Sequence, residues 1–172
     1  FGHGLMTQKI RELVQEKALF LSLNCQTNSY NHGYNIINRQ YKRADSFSLD
    51  EAEIKLASGI KKTNFSKELE LLRQSLSSKY AWLTRGAVET IGISNDKELS
   101  RCPSFENEVV DPVGAGDAFC TIASLAAAKG LPMDASTYLA QMAGAQAVRI
   151  IGNSEAIKKA DLLKAAQTMI NF

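Results

Sequence analysis

In the stretch DPVGAGDAF, residues 111–119, the triplet Gly114, Ala115 and Gly116 is followed at once by a carboxylate, Asp117, and then by an alanine-rich run. The first turn of a helix has backbone N–H groups with no partner inside the helix. The helix dipole makes that end positive, and glycines let a ligand approach the backbone closely and permit positive φ. Gly114, Ala115 and Gly116 therefore have the makings of an anion hole for a phosphoryl group. An aspartate is ionised at neutral pH, so Asp117 beside such a hole is not there to bind phosphate. Its useful chemistry is to orient a hydroxyl and take its proton as that oxygen attacks. The alternative is a plain helix start, because an acidic residue in a first turn suits the dipole. Two other phosphate-binding patterns are excluded. A dinucleotide fingerprint needs a third glycine where Phe119 stands, and a Walker A loop needs Gly-Lys-Ser/Thr.

The elements that must position this turn can be read from periodicity. Thr7 can cap a helix with an apolar face of Ile10, Leu13 and Val14. The run ALFLSLN (18–24) reads as a strand buried on both faces, and SFSLD (46–50) as another. EAEIKLAS reads as a helix that stops at Gly59. Ser66 can cap a helix through Leu69, Leu72 and Leu76. YAWLT (80–84) reads as a strand, RGA as a turn, and VETIGI (88–93) as a further strand. Phe119, Ile122, Ala123, Ala126 and Ala127 have the spacing of one helix face, predicting a helix over 118–129 that stops at Lys129, Gly130 and Pro132. Asp134 can cap the next helix, and Asp161 can open a last one through Leu162, Leu163, Ala166 and Met169. Strands alternating with helices predict an α/β fold with a mainly parallel sheet. Ligands in such folds sit beyond the carboxyl ends of strands, and the motif, between NEVVD and a helix, is expected there.

Composition sets bounds on function. The chain has 172 residues, 45% of them apolar, and a formal charge of +2. That balance implies no strong attraction to nucleic acid or to a membrane surface, and no apolar run approaches the ~20 residues of a membrane span. Cys25, Cys102 and Cys120 are widely spaced and odd in number, which points to buried reduced thiols and a cytoplasmic setting. His3 and His32 lack metal-ligand spacing. The opening FGHGLM is neither a signal nor a transit peptide, and the chain is expected to begin inside a larger protein.

The segment DPVGAGDAF closely resembles the Asp-x-x-Gly-Ala-Gly-Asp signature of the PfkB, or ribokinase-like, carbohydrate kinases. LTRGAVETIGI resembles that family's nucleotide-side strand-turn-strand, DEAEIKLA its Asn-x-x-Glu element, and GAQAVRIIGN the helix and turn that close the nucleotide pocket. FGHG and NCQTN resemble the branch near the heptose-phosphate kinases. The resemblance implies the C-terminal portion of a ribokinase-like α/β/α sandwich, residues 1–172 carrying the nucleotide site and catalytic base, with the N-terminal portion absent. It implies transfer of the ATP γ-phosphoryl to a sugar or sugar-phosphate hydroxyl, with Asp117 as base and Gly114, Ala115 and Gly116 as anion hole. Arg85, Gly86, Gln141, Gly144 and Asn153 would lie at the nucleotide. Asp50 and Glu53 would act on Mg2+ through water, and Asp111 would lie near a monovalent cation such as K+.

Departures from the family pattern leave alternatives open. Position 50 is Asp where the family has Asn, and Asp50-x-x-Glu53 also has capping-box spacing. Arg85 can contact phosphates or cap a turn. The Asn-rich 24–38 stretch can reach a ligand or be a solvated loop. A non-catalytic nucleotide-binding module and a nucleoside acceptor are competing readings. The resemblance leaves room for a homodimer of the complete protein.

Overall fold

The structure is a computed structural model that describes residues 6–25, 33, 35–61, 64–106 and 109–170, with the side chains of Asn153 and Ile170 excepted. FGHG, both histidines and most of the Asn-rich stretch lie outside the described residues. In chain order come α1 (Gln8–Lys17), β1 (Ser22–Asn24), the short α2 (Ile37–Gln40), β2 (Ser46–Asp50), α3 (Glu51–Ser58), α4 (Phe65–Ser75), β3 (Tyr80–Thr84), β4 (Glu89–Ser94) and β5 (Leu99–Pro103). Then follow α5 (Ala115–Ala128), α6 (Met133–Ala147), a 3-10 turn (Ile151–Asn153) and α7 (Lys159–Ile170).

The five strands form one sheet in the order β1-β2-β3-β4-β5. β1, β2 and β3 pair in parallel, and β4 pairs antiparallel with both β3 and β5. β4 alone therefore runs against the other four, and the sheet is mostly parallel as expected. Alternation along β3 divides the core. Ala81 and Leu83 join Phe47, Leu49, Ile54, Leu69 and Leu72 under α3 and α4. Tyr80 and Trp82 join Phe119, Ala123 and Met133 under α5 and α6. Helices thus cover both faces, which completes the α/β/α sandwich.

Local chemistry sets most helix ends. The Thr7 side chain accepts from the Ile10 N–H. Asp50 accepts from the Glu53 N–H while Glu53 accepts from the Asp50 N–H, a closed capping box. α3 ends at Gly59 and α5 runs out at Lys129 and Gly130, as expected. α5 and α6 meet along a seam of small side chains. Ala123, Ala127, Ala140, Ala143 and Ala147 are each no more than 4% exposed.

Several elements differ from the sequence reading. The 18–24 strand contracts to Ser22–Asn24, and Leu19 within the expected span is fully exposed. α1 buries none of its residues. α4 is capped by Asn64, which accepts from the Lys67 N–H, while Ser66 accepts from Arg101. Pro132 takes the cap position of α6, and Asp134 sits in its first turn. Residues 109–111 form no strand. The strand preceding the motif is β5, which buries only Ser100 and Cys102 and so gave no apolar run to detect.

One close approach fixes how α6 lies on the sheet. A Cβ placed on Gly92 of β4 would stand 2.6 Å from Thr137 Oγ1 and 2.8 Å from Met133 Sδ. Thr137 also accepts the Trp82 Nε1–H at 3.0 Å. Gly92→Ala is therefore expected to cost about 1–3 kcal/mol, the usual range for overpacking. Urea unfolding followed by Trp82 fluorescence would measure it.

Candidate active site

α5 is the hub of the site. Its N-cap, Gly114, has φ 87°, a left-handed conformation that a side chain would strain, and no side chain caps the helix. The Ala115 N–H turns back to the Pro112 carbonyl at 3.3 Å, and the Ala118 N–H bonds Gly114 at 2.9 Å. Among the described residues, the N–H groups of Gly114, Gly116 and Asp117 have no partner. A Cβ on Gly116 would meet nothing within 4 Å. These donors lie at the positive end of a helix and beside open space.

Helical geometry then sends the motif to two sides. Ala115, Gly116 and Phe119 line a cleft of ≈ 640 Å³. Asp50, Arg85, Gly86, Gln141 and Gly144 line the same cleft, so seven of the twelve sequence-predicted site residues converge there. Gly114, Asp117 and Thr121 line a second groove, of ≈ 690 Å³, between α5, α6 and α7. The α5 start, with its free N–H groups, stands between the two.

Each cleft residue has a structural anchor. Asp50 uses one oxygen in its capping box, and Glu53 points back to the Asp50 N–H rather than into the cleft. Gln141 accepts from the Thr90 hydroxyl at 2.6 Å, a buried bond joining α6 to β4. Arg85 is clamped between Glu51, at 2.8 Å, and Glu89, at 2.6 Å. Its guanidinium lies 4.8 Å from the Phe65 ring centroid. The hydrogen bond to Glu51, then that to Glu89, pushes Arg85 above its ordinary range. The same Arg85 bond holds Glu51 low. Burial pushes Glu89 up, yet the hydrogen bonds from Arg101 and Arg85 prevail and hold it below the usual carboxylate range. The clamp, which depends on Glu51 and Glu89, is the part that sequence reading missed. Arg85 is held at the cleft wall as a fixed cation.

Asp111 is a tether. Its carboxylate accepts from the Gly152 N–H at 2.7 Å and the Val113 N–H at 2.9 Å, and these bonds, Gly152 first, hold it below the ordinary aspartate value. It joins the motif to the 3-10 turn that contains Asn153. The sign of the pH effect follows from this depression. The tether is at full strength above the ordinary value near 3.8 and weakens as pH falls through the lower folded-state value. Asp111→Ala is expected to lower the protection factors of the Gly152 and Val113 amides at neutral pH, and in the mutant those factors should not fall further with acid. Exchange measured by NMR would check both.

The thiols are not part of this chemistry. Burial pushes Cys25 up to about 12 and Cys102 up to about 11. Among the described residues, no group of three or more His, Cys, Asp or Glu could hold a metal ion, and no helix is long and apolar enough to cross a membrane.

Comparison with known proteins places this architecture. Over 159 residues the chain is 26% identical to the bifunctional protein HldE of Wolinella succinogenes, covering 91% of this chain and 32% of that protein. Arabidopsis thaliana ribokinase, solved with ribose and ATP, superposes with a TM-score of 0.74 at 18% identity over 93% of this chain and 51% of that one. Escherichia coli phosphofructokinase-2, in complex with potassium, gives 0.76 at 13% identity over 95% and 52%. A Burkholderia thailandensis nucleoside kinase with inosine gives 0.75 at 17% identity over 96% and 54%. The chain thus spans about a third of that relative and about half of these solved structures. The profile of the pfkB family carbohydrate kinases matches residues 37–160, well over half of the 172, and the chain belongs to that family.

Proposed function

We propose that this chain carries the nucleotide site, anion hole and catalytic base of an ATP-dependent kinase acting on a hydroxyl of a sugar or sugar phosphate. It would form the C-terminal portion of the kinase domain, with most acceptor contacts supplied by other parts of a cytoplasmic polypeptide. One observation carries the reading. The unpartnered N–H groups at the α5 start stand between a cleft that holds Gly116 and a groove that holds Asp117. A phosphoryl group seated at those donors faces a nucleotide on one side and an attacking hydroxyl on the other, the in-line arrangement that transfer requires.

In this reading the Gly116 and Asp117 N–H groups hold phosphoryl oxygens. Arg85, Gly86, Gln141, Gly144 and the turn at Asn153 surround the rest of the nucleotide. Asp117 orients the acceptor hydroxyl and takes its proton as the oxygen attacks phosphorus. Magnesium, bound with the nucleotide, supplies charge neutralisation at the phosphates. Asp50, whose second oxygen has no partner among the described residues, would hold it through water, with Glu53 steadying Asp50. Both Asp111 oxygens are committed to N–H groups, so a cation such as K+ would be held by neighbouring carbonyls.

The test uses the complete encoded polypeptide. ADP release with ATP and magnesium is measured against a panel of sugars, sugar phosphates and nucleosides, together with ATP titration calorimetry. Transfer to a sugar or sugar-phosphate hydroxyl is expected. ATP binding without transfer to any acceptor would leave a non-catalytic nucleotide module, and preferred transfer to nucleosides would reassign the acceptor.

A further inference from the structure

We infer that Asn24 is a positioning residue for the Asp117 carboxylate, built into the seam between β1 and α5. Asn24 closes β1, and its Nδ2 donates to Asp117 Oδ1 at 3.1 Å. The two residues are 93 positions apart, so the bond exists only because the fold brings these elements together.

The bond is one rung of a registered seam. Residues two apart on a strand share a face, and residues seven apart on a helix return to the same face after two turns. Ser22 and Asn24 meet α5 in that pattern. The Ser22 and Ser124 hydroxyls lie 2.5 Å apart, and Asn24 reaches Asp117, seven residues before Ser124. The Ser46 hydroxyl extends the line to β2 by donating to Ser22 at 2.8 Å, across the pair Ser22–Ser46. Ser124 also donates to the Cys120 carbonyl at 2.5 Å. The seam fixes the height of α5 along β1, and Asn24 fixes the carboxylate at its end.

An amide donor on Oδ1 selects which oxygen of Asp117 stays free towards the acceptor. The charged groups that share the groove with Asp117 are Glu155 and Lys159. They come from the segment leading into α7 and from its first residue, and from β1 only the neutral Asn24 reaches the carboxylate.

The inference rests on the reading of Asp117 as proton acceptor, and the experiment separates the two. In the complete polypeptide, kcat and the KM for ATP are measured from pH 5 to 9 for wild type, Asn24→Ala, Asn24→Asp and Asp117→Asn. Asn24→Ala is expected to lower kcat on the order of tenfold, within the ~100-fold that a misplacement of about 1 Å can cost, with KM for ATP unchanged. Asn24→Asp keeps size and shape but sets two carboxylates at hydrogen-bond distance, where one proton is shared. The low-pH limb of its kcat profile is expected to move up by about one unit or more. A limb that stays in place in Asn24→Asp, with Asn24→Ala at wild-type kcat, overturns the positioning role while Asp117→Asn remains inactive. An active Asp117→Asn instead overturns the base assignment on which the role depends.

Discussion

The Asp117→Asn substitution in the complete protein is expected to slow phosphoryl transfer by about 100-fold to 10,000-fold, the usual contribution of general-base assistance, with nucleotide affinity nearly unchanged. Asparagine keeps the size of the side chain and an oxygen that can still accept the Asn24 amide, so the seam to β1 survives. What it loses is the ability to take a proton at neutral pH. The proposed anion hole is made of backbone N–H groups and should be indifferent to the change. Asp117 also lines the groove apart from the cleft proposed for the nucleotide, so the change should take no contact from ATP. Relief of like-charge repulsion can tighten ATP slightly. Steady-state rates and an ATP titration on both proteins check this. A mutant that keeps more than about a tenth of wild-type turnover, well short of the expected loss, shows that Asp117 is a helix start and no base.

Gly116→Ala is expected to separate stability from function. Gly116 is the second residue of α5 and has no positive φ, so alanine fits its backbone. Alanine is favoured over glycine in a helix by up to about 1 kcal/mol, so Tm should hold or rise by a few degrees at most, roughly 2–4 °C for a protein of this size. The new methyl group meets no protein atom within 4 Å. It stands instead in the cleft, over donors that need phosphoryl oxygens at about 2.9 Å. We expect kcat/KM for ATP to fall on the order of 100-fold, comparable to losing one donor of an oxyanion hole. Unchanged ATP kinetics in a stable mutant would place the phosphates elsewhere. A mutant that is both unstable and inactive would mean that the backbone at 116 is not in the conformation described.

Features set by a few neighbouring residues were legible before the fold was known. The Asp50–Glu53 capping box spans four positions. The Phe119 to Ala127 stripe needs only helix periodicity, and four of its five residues are buried. The cap of α4 was read as Ser66, yet Asn64 holds that place and Arg101 engages Ser66 from β5. Long-range partners were invisible. Arg85 looks free in sequence, yet Glu51, 34 residues away, holds it. Asn24 stood where the 18–24 strand meets the Asn-rich stretch, and only the packing of α5 on β1 shows what it touches. β5 was missed because its pairing with β4, and not its own composition, makes it a strand.

The alanine seam between α5 and α6 also sets how this sequence can drift. Ala123, Ala127, Ala140, Ala143 and Ala147 have almost no side chain to trim, so every substitution but glycine adds volume, and added methylenes in a tight interface typically cost about 1–3 kcal/mol. A saturation scan of those five positions should reject leucine and valine about as firmly as it rejects aspartate, while accepting glycine and serine best. On the opposite layer, at Leu69, Leu72 and Leu83, the ranking should follow polarity, and isoleucine or methionine should pass. The two halves of one sandwich would then evolve under different filters, volume on the layer that carries the Gly114–Gly116 turn and hydrophobicity on the other. The helix that bears Gly116 and Asp117 would be the slower to change, even at residues that touch no ligand.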